Sequence, residues 1–156
     1  MPRVPGRRVP PLAFAASAPG GARHIGRLIR GHLLTYPDGD AFAERLGPFA
    51  IKISGCPNSC GQHHVGDIGL TGHLAKTADG SERPFYSILV GGGVGEGKGR
   101  IGMRLGRFAE EVAPAVIVSL ARFYERERQP GESFPAFVDR VGEARLDAVA
   151  AEAGPA

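Results

Sequence analysis

Both cysteines of this 156-residue chain lie in one short stretch, residues 52–66, which reads KISGCPNSCGQHHVG. Cys56 and Cys60 are four residues apart, and Pro57 follows the first of them. Proline suits the first position of a helical turn, because its missing N–H would have no partner there in any case. Residues i and i+4 of such a turn lie on one side of it, so both sulfurs would face the same inorganic centre. The spacing predicts a metal site with two thiolate ligands.

The backbone around the two thiols supports this interpretation. Gly55 and Gly61 flank the pair, and a glycine lets the backbone come close to a bulky group. Unpaired N–H groups at the start of a helical turn favour negative charge, which suits thiolates and sulfide ions. We predict that the sulfurs of Cys56 and Cys60 lie within a few ångströms of each other, at a strand-to-turn junction after Ile53. The alternative is two buried free cysteines that pack as small apolar side chains.

A zinc site is a second alternative. Cys56, Cys60, His63 and His64 have the chemistry of a Cys2His2 centre. The two histidines are sequence neighbours, however, whereas such sites separate them by roughly three to five residues. Zinc is therefore the weaker hypothesis.

Composition excludes several classes of protein. A formal charge of +3 is small for a dedicated nucleic-acid-binding protein, although a pI near 9.2 is compatible with an anionic ligand. No apolar run reaches the roughly 18 residues of a membrane span. Two cysteines do not make a disulfide scaffold, so we expect a reduced, cytoplasmic setting with neither nucleic acid nor membrane as a partner.

The chain divides into three parts by composition. Residues 1–22 are rich in proline, arginine, alanine and glycine without a sustained period, and we predict a disordered leader without packed contacts. Residues 23–147 have foldable patterns, and residues 148–156 form an alanine-rich tail that we expect to fray. Periodicity predicts strands at residues 49–54, 67–76 and 85–93, helices at residues 23–34, 41–46, 111–129 and 133–142, and a glycine-rich loop at residues 91–106. Two helical stripes are predicted to face the core: Val112, Val116, Leu120 and Phe123, then Phe134, Phe137, Val138 and Val141.

The stretch ISGCPNSCGQHHVGDIGLTG resembles the second cysteine motif of the sirohaem-dependent nitrite and sulfite reductases. The segments FYSILVGGGVGEGKGRIG and YERERQPGESFPAFVDRVG are similar to the strand, glycine loop and C-terminal helices of that family, in the same order. The resemblance covers residues 33–146. It implies an α+β fold in which a mixed sheet packs against helices.

The resemblance also implies cofactors and a reaction. In this family the motif is the second half of a four-cysteine set that holds a [4Fe–4S] cluster, which makes Cys56 and Cys60 metal ligands. The residue matching Cys60 also bridges to the sirohaem iron, and nitrite or sulfite binds the opposite face of that iron. Electrons come from a donor such as ferredoxin or a flavoprotein. Asn58 lies in the ligand loop and is predicted to donate a hydrogen bond to sulfur or to the macrocycle.

The glycine-rich segment offers positive charge for the carboxylates of sirohaem. Lys98 and Arg100 are predicted to bind this cofactor, and Arg104 and Arg107 lie nearby among glycines whose amides can face an anion. The alternative is a solvent-exposed loop with incidental charge. A dinucleotide site is weaker still, because no strand–GxGxxG–helix unit with a downstream acid is evident.

One departure from the family pattern affects the expected activity. The family has an earlier C-x5-C pair, whereas no cysteine precedes Cys56 here. Because each iron of the cluster takes its own ligand, two thiolates are half of a set. We expect a truncated or rearranged gene product, with a split enzyme whose partner chain supplies two cysteines, or a fusion to an unrelated leader, as the other accounts. Whether the chain is an enzyme by itself stays open, and a non-catalytic remnant or binding module is the alternative function.

Overall fold

A computed structural model describes residues 13–17, 21–95 and 98–154 of the chain. The strands are β1 Ala13–Ser17, β2 Ala50–Ser54, β3 Ile68–Lys76, β4 Glu82–Val90, β5 Gly93–Gly95, β6 Lys98–Arg100 and β7 Met103–Ala109. The α-helices are α1 Gly21–Leu34, α2 Gly39–Leu46, α3 Ala113–Glu127, α4 Phe134–Val141 and α5 Glu143–Ala153, and a short 3-10 helix spans His63–Val65.

Five strands form one sheet in the order β1-β2-β3-β4-β7. The pairs β1–β2 and β2–β3 are parallel, whereas β3–β4 and β4–β7 are antiparallel. Strands β5 and β6 form a separate antiparallel ribbon. The sheet is therefore mixed and the fold is α+β, as the family resemblance implied.

The helices cover one face of this sheet. Ile51 and Ile53 alternate along β2 and are buried, as the period of two in the sequence predicts. Helix α1 lies directly over them, since a Cβ added to Gly26 would be 3.7 Å from Cδ1 of Ile53. The predicted stripes of α3 and α4 also face the core, and their buried members are Val116, Leu120, Phe123, Phe134, Phe137 and Val138.

The opposite face of the sheet is polar. One row runs straight across four strands, because Ser54 pairs with Thr71, Thr71 with Ser87, and Ser87 with Arg107. Paired residues of neighbouring strands point to the same side, so these four side chains share what we call the polar face. The chain that follows β2 folds back over part of this face, where a Cβ at Gly69 would lie 1.8 Å from the carbonyl oxygen of His63.

The glycine-rich segment differs from its prediction as a loop. It contains the β5–β6 ribbon, and its last part begins β7, which pairs with β4 through Tyr86 and Phe108. A β-bulge lies between Ile88 and Leu89 on the partner strand. Glycine is depleted in strands and obscures an alternating pattern, so pairing with β4 outweighs local propensity here.

Both ends of the chain are more structured than predicted. Residues 13–17 of the predicted leader form β1, which pairs with the edge of β2, so the prediction of no packed contacts is wrong for them. The remaining residues of that leader lie outside the described part of the structure. At the other end α5 continues through the predicted frayed tail, because alanine favours helix and Leu146 and Ala150 are buried against the core. None of the helices in the described ranges is long and apolar enough to cross a membrane.

Candidate metal and cofactor site

Strand β2 leads directly into the segment that carries both thiols. We call residues 55–62 the cysteine loop. It starts one residue after β2 ends at Ser54, which agrees with the predicted strand-to-turn junction. The loop consists of turns and bends, so the predicted helical turn after Pro57 is wrong. Cys56 is partly exposed and Cys60 is exposed, and both are free thiols. That the two sulfurs face one centre stays a prediction.

A buried serine anchors the cysteine loop to the sheet. The Oγ atom of Ser54 accepts a hydrogen bond from the backbone N–H of Gly61 at 3.1 Å and lies 2.8 Å from Nδ1 of His63. A Cβ at Gly61 would lie only 2.1 Å from the carbonyl oxygen of Ile53. Gly61 was predicted to leave room for a cofactor, but here it leaves room for the backbone of β2.

A strained backbone shapes the loop between the two cysteines and just after them. Ser59 and Gln62 have φ angles of 59° and 53°, and no other non-glycine residue of the described ranges has a positive φ. Such conformations persist where neighbouring contacts hold them. Ser59 has one such contact, because its hydroxyl lies 2.9 Å from Nδ1 of His64.

The two neighbouring histidines fix the loop and do not join the thiols in a metal site. Their rings are 3.9 Å apart, and His63 is buried. Burial lowers the pKa of His63, and nearby His64 and His73 lower it further. Across residues 21–95 and 98–154, no three His, Cys, Asp or Glu side chains gather closely enough to hold a metal ion. The Cys2His2 zinc hypothesis is therefore wrong for this arrangement.

A cavity of about 450 Å³ lies between the cysteine loop and the hairpin of β3 and β4. Cys56 and Pro57 line it from the loop, and His73 and Tyr86 line it from the strands. Burial raises the pKa of Tyr86 to about 12, and Glu110 adds to this effect. The tyrosine hydroxyl therefore keeps its proton at neutral pH. Cys56 thus borders an enclosed space, whereas Cys60 faces solvent.

The other residues predicted to bind the cofactor are placed differently from one another. Asn58 is exposed in the loop, and its side chain makes no hydrogen bond to any described residue. Arg100 is occupied, because two of its nitrogens donate to the carboxylate of Asp139 at 2.5 Å each. Lys98 belongs to β6, but its side chain lies outside the described part of the structure. Of these three predicted residues, Asn58 is free for a ligand in this arrangement and Arg100 is not.

Sequence reasoning gave no role to His73 or Ser87. The two side chains form a hydrogen bond of 3.0 Å on the polar face, beside Arg104 and Arg107. The signal was present, because His73 has the same parity in β3 as Thr71 and therefore shares its face. The sequence could not show which residue of β7 lies beside them, since β7 itself was not recognised.

A second cavity, of about 460 Å³, lies where β2 begins. Asp67 and Lys52 line it together with the glycines of the β5–β6 ribbon. One carboxylate oxygen of Asp67 accepts the backbone N–H of Ala50 at 2.7 Å. Burial raises the pKa of Asp67 despite this bond and the nearby charge of Lys52.

The raised pKa of Asp67 predicts a pH dependence of stability. The protonated form is favoured on folding, so its stabilising effect is full below about pH 4 and is lost as the pH rises through the raised pKa. Asp67→Asn keeps an oxygen that can accept from Ala50 and removes this loss. We expect the free energy of unfolding of the variant, relative to wild type, to increase as the pH rises.

Urea unfolding at several pH values between about 3 and 7 measures this difference. Asp147→Asn, which changes the same charge at an exposed position of α5, is the control and should show no such trend. A difference between Asp67→Asn and wild type that stays constant over this range contradicts the prediction.

Comparison with known proteins decides the family. The model of the nitrite and sulphite reductase 4Fe-4S domain matches residues 29–154. The chain belongs to this family. The resemblance of the cysteine motif and of the downstream segments is thereby confirmed.

Curated relatives of this reductase domain are sulfite reductases. The sulfite reductase (ferredoxin) 1 of Mycolicibacterium paratuberculosis is 33% identical over 109 residues, which cover 69% of this chain and 20% of that protein. The sulfite reductase (NADPH) hemoprotein beta-component of Bordetella petrii is 37% identical over 100 residues, which cover 61% of this chain and 15% of that protein. The chain therefore spans a fifth or less of the length of these relatives.

A solved structure shows the same fold. The NirA protein of Mycobacterium tuberculosis superposes with a TM-score of 0.62 at 24% sequence identity, over 80% of this chain and 22% of that one. The mixed sheet and its helices are thus a known arrangement.

The donor atoms present can be tested against the cluster that gives the family its name. A [4Fe–4S] cluster takes four cysteine thiolates, and this chain has two cysteines. Both are free, both belong to one loop, and one faces a cavity while the other faces solvent. Cys56 and Cys60 fit half of a ligand set.

Proposed function

We propose that this chain contributes the second cysteine pair of a [4Fe–4S] and sirohaem centre in a reductase of nitrite or sulfite. One observation supports the proposal above the others. In a domain of this family, both thiols lie on a single strained loop that buried side chains hold against the sheet. Cys56 and Cys60 would be iron ligands, and the exposed Cys60 would also contact the sirohaem iron. When bound, these groups supply electron transfer to the anion.

The residues around the loop would orient the two thiols. Ser54 and the buried ring of His63 hold the end of the loop, while Ser59 holds its middle through His64. These contacts are rigid and already made, which reduces the cost of ordering the loop when a centre binds. Asn58, exposed between the cysteines, is free to donate to a sulfur atom.

The remaining ligands and the electron donor belong to the same proposal. Two further thiolates would come from a partner chain or from sequence that is not part of this domain. The names of the relatives mention ferredoxin and NADPH, so ferredoxin or a flavoprotein is the donor we propose. Two free thiols suit a reduced, cytoplasmic setting.

Anaerobic reconstitution of the chain with iron, sulfide and sirohaem tests the proposal. We expect iron retention that depends on both thiols, so that Cys56→Ser and Cys60→Ser each abolish it. We expect no steady reduction of nitrite or sulfite with a reduced dye, because the chain supplies two thiolates of four. Because Cys60 is exposed, Cys60→Ser should melt at the wild-type temperature, which serves as the check on folding.

Two outcomes are informative against this expectation. Equal iron retention by wild type and by the double cysteine variant contradicts the proposed ligands and favours the alternative, a binding module that keeps the fold without a metal centre. A stoichiometric coupled chromophore with turnover contradicts the expected inactivity, and it would show that two chains supply two thiolates each.

A further inference from the structure

The polar face carries a compact group of side chains for which the proposed function has no use. We call His73, Ser87, Arg104 and Arg107 the basic cluster. They come from β3, β4 and β7, and their strands pair in one sheet. Phe108, the neighbour of Arg107 in β7, is buried in the core, which places Arg107 on the polar face.

The cluster converges on one hydroxyl group. Nε2 of His73 lies 3.0 Å from Oγ of Ser87, and Nη2 of Arg104 lies 3.5 Å from the same atom. Arg107 is the residue opposite Ser87 in the register of β4 and β7. Three basic side chains therefore surround a point on the sheet that is small enough for one anionic group to contact all of them.

The charges of the cluster are not balanced by acids. No carboxylate lies within 4 Å of Arg104 or Arg107 among the residues that the structure describes, whereas several other arginines have such partners. Burial lowers the pKa of His73, and Arg107 and Arg104 lower it further, so the three groups are within electrostatic reach of one another. The guanidinium of Arg107 is held over the ring of Phe85 at 5.7 Å.

We propose that the basic cluster binds a single oxyanionic group, such as a carboxylate, a sulfate or a phosphate. Arginine presents a planar fork of N–H donors that matches two oxygens of such a group, and two arginines with a histidine and a hydroxyl offer several donors at once. An anion at this point offsets the mutual repulsion of the cationic side chains.

The position of the cluster defines two sources for this group. Ser54, the anchor of the cysteine loop, and Ser87 lie in the same row of the sheet, two strands apart, which is roughly 10 Å. A peripheral carboxylate of a tetrapyrrole held beside the cysteine loop is therefore one source, and a free inorganic anion is the other. The first source rests on the proposed function, and the second does not.

Titration of the cysteine-intact chain without any metal tests the site. Sodium sulfate is titrated by calorimetry in chloride buffer at constant ionic strength. Uroporphyrin, an iron-free tetrapyrrole with many carboxylates, is titrated by fluorescence. We expect Arg104→Gln with Arg107→Gln to weaken the binding of the true ligand by at least about tenfold, because charge-assisted hydrogen bonds are lost. Arg27→Gln with Arg30→Gln, which removes the same charge from exposed positions of α1 on the other side of the sheet, should change it less than about twofold.

Each outcome decides the proposal. Saturable sulfate binding that needs the cluster supports a free anion as the ligand, and uroporphyrin binding alone supports a peripheral carboxylate. Absence of saturable binding in both titrations, or equal losses in the two double variants, overturns the proposal and leaves the cluster as the solvated side of a sheet. Cys56→Ser with Cys60→Ser should retain the binding, so failure of the thiolate centre and failure of this site give different results.

Discussion

Replacement of Phe137 by alanine is expected to lower the free energy of unfolding by about 3–5 kcal/mol, which is the usual effect of removing a buried phenylalanine. Phe137 is fully buried in α4. Its ring packs against Phe123 at 5.2 Å, Tyr124 at 5.2 Å and Phe134 at 6.1 Å between centroids. The cavity left behind would be lined by aromatic rings that cannot easily collapse into it.

Urea unfolding of wild type and variant gives this number directly. Phe137→Leu keeps much of the volume and should lose less than Phe137→Ala, while Leu74→Ala, at a side chain that is 71% exposed, should change stability by less than about 0.5 kcal/mol. A loss for Phe137→Ala no larger than that for Leu74→Ala would show that this aromatic group is not part of the cooperative core.

Gly61→Ala is the second large effect that we expect, with a loss of about 1–3 kcal/mol in the free energy of unfolding. The new methyl group would lie 2.1 Å from the carbonyl oxygen of Ile53, which belongs to a central strand and cannot move freely. The loop must shift instead, and the bond from the N–H of Gly61 to Ser54 breaks with it. Because Cys60 precedes Gly61, iron retention in the reconstitution should fall together with stability.

A glycine with open space around it provides the control. Gly31 lies inside α1 and has no atom within 4 Å of an added Cβ, so Gly31→Ala should raise stability by up to about 1 kcal/mol. Chemical unfolding and iron analysis of the two variants measure both effects. Wild-type stability of Gly61→Ala contradicts the close packing of the cysteine loop on β2.

The sequence alone was sufficient where a local pattern dominates. The alternation of Phe49, Ile51 and Ile53 predicts a half-buried strand, and the apolar stripes of α3 and α4 predict helices packed on a core, because burial of one face follows directly from the period. The cysteine motif is equally local. Its length and the order of the segments after it were enough to indicate the family, which the match over residues 29–154 confirms.

Other features depend on which residues meet in space. Strand β7 exists because β4 offers it a partner, and α5 continues because buried Leu146 and Ala150 hold it against the core. Neither partner can be identified from a segment of glycine and arginine or of alanine.

The cysteine loop combines both kinds of information. The sequence determined that Cys56 and Cys60 lie together on one loop after a strand, since their spacing and the strand pattern are local. The tertiary structure decided that Gly61 serves the packing of that loop on Ile53, and it brought His73 and Ser87 beside two arginines of β7. The physical reason is the same in each case: contacts between distant segments are set by sheet register and close packing, which no local period encodes.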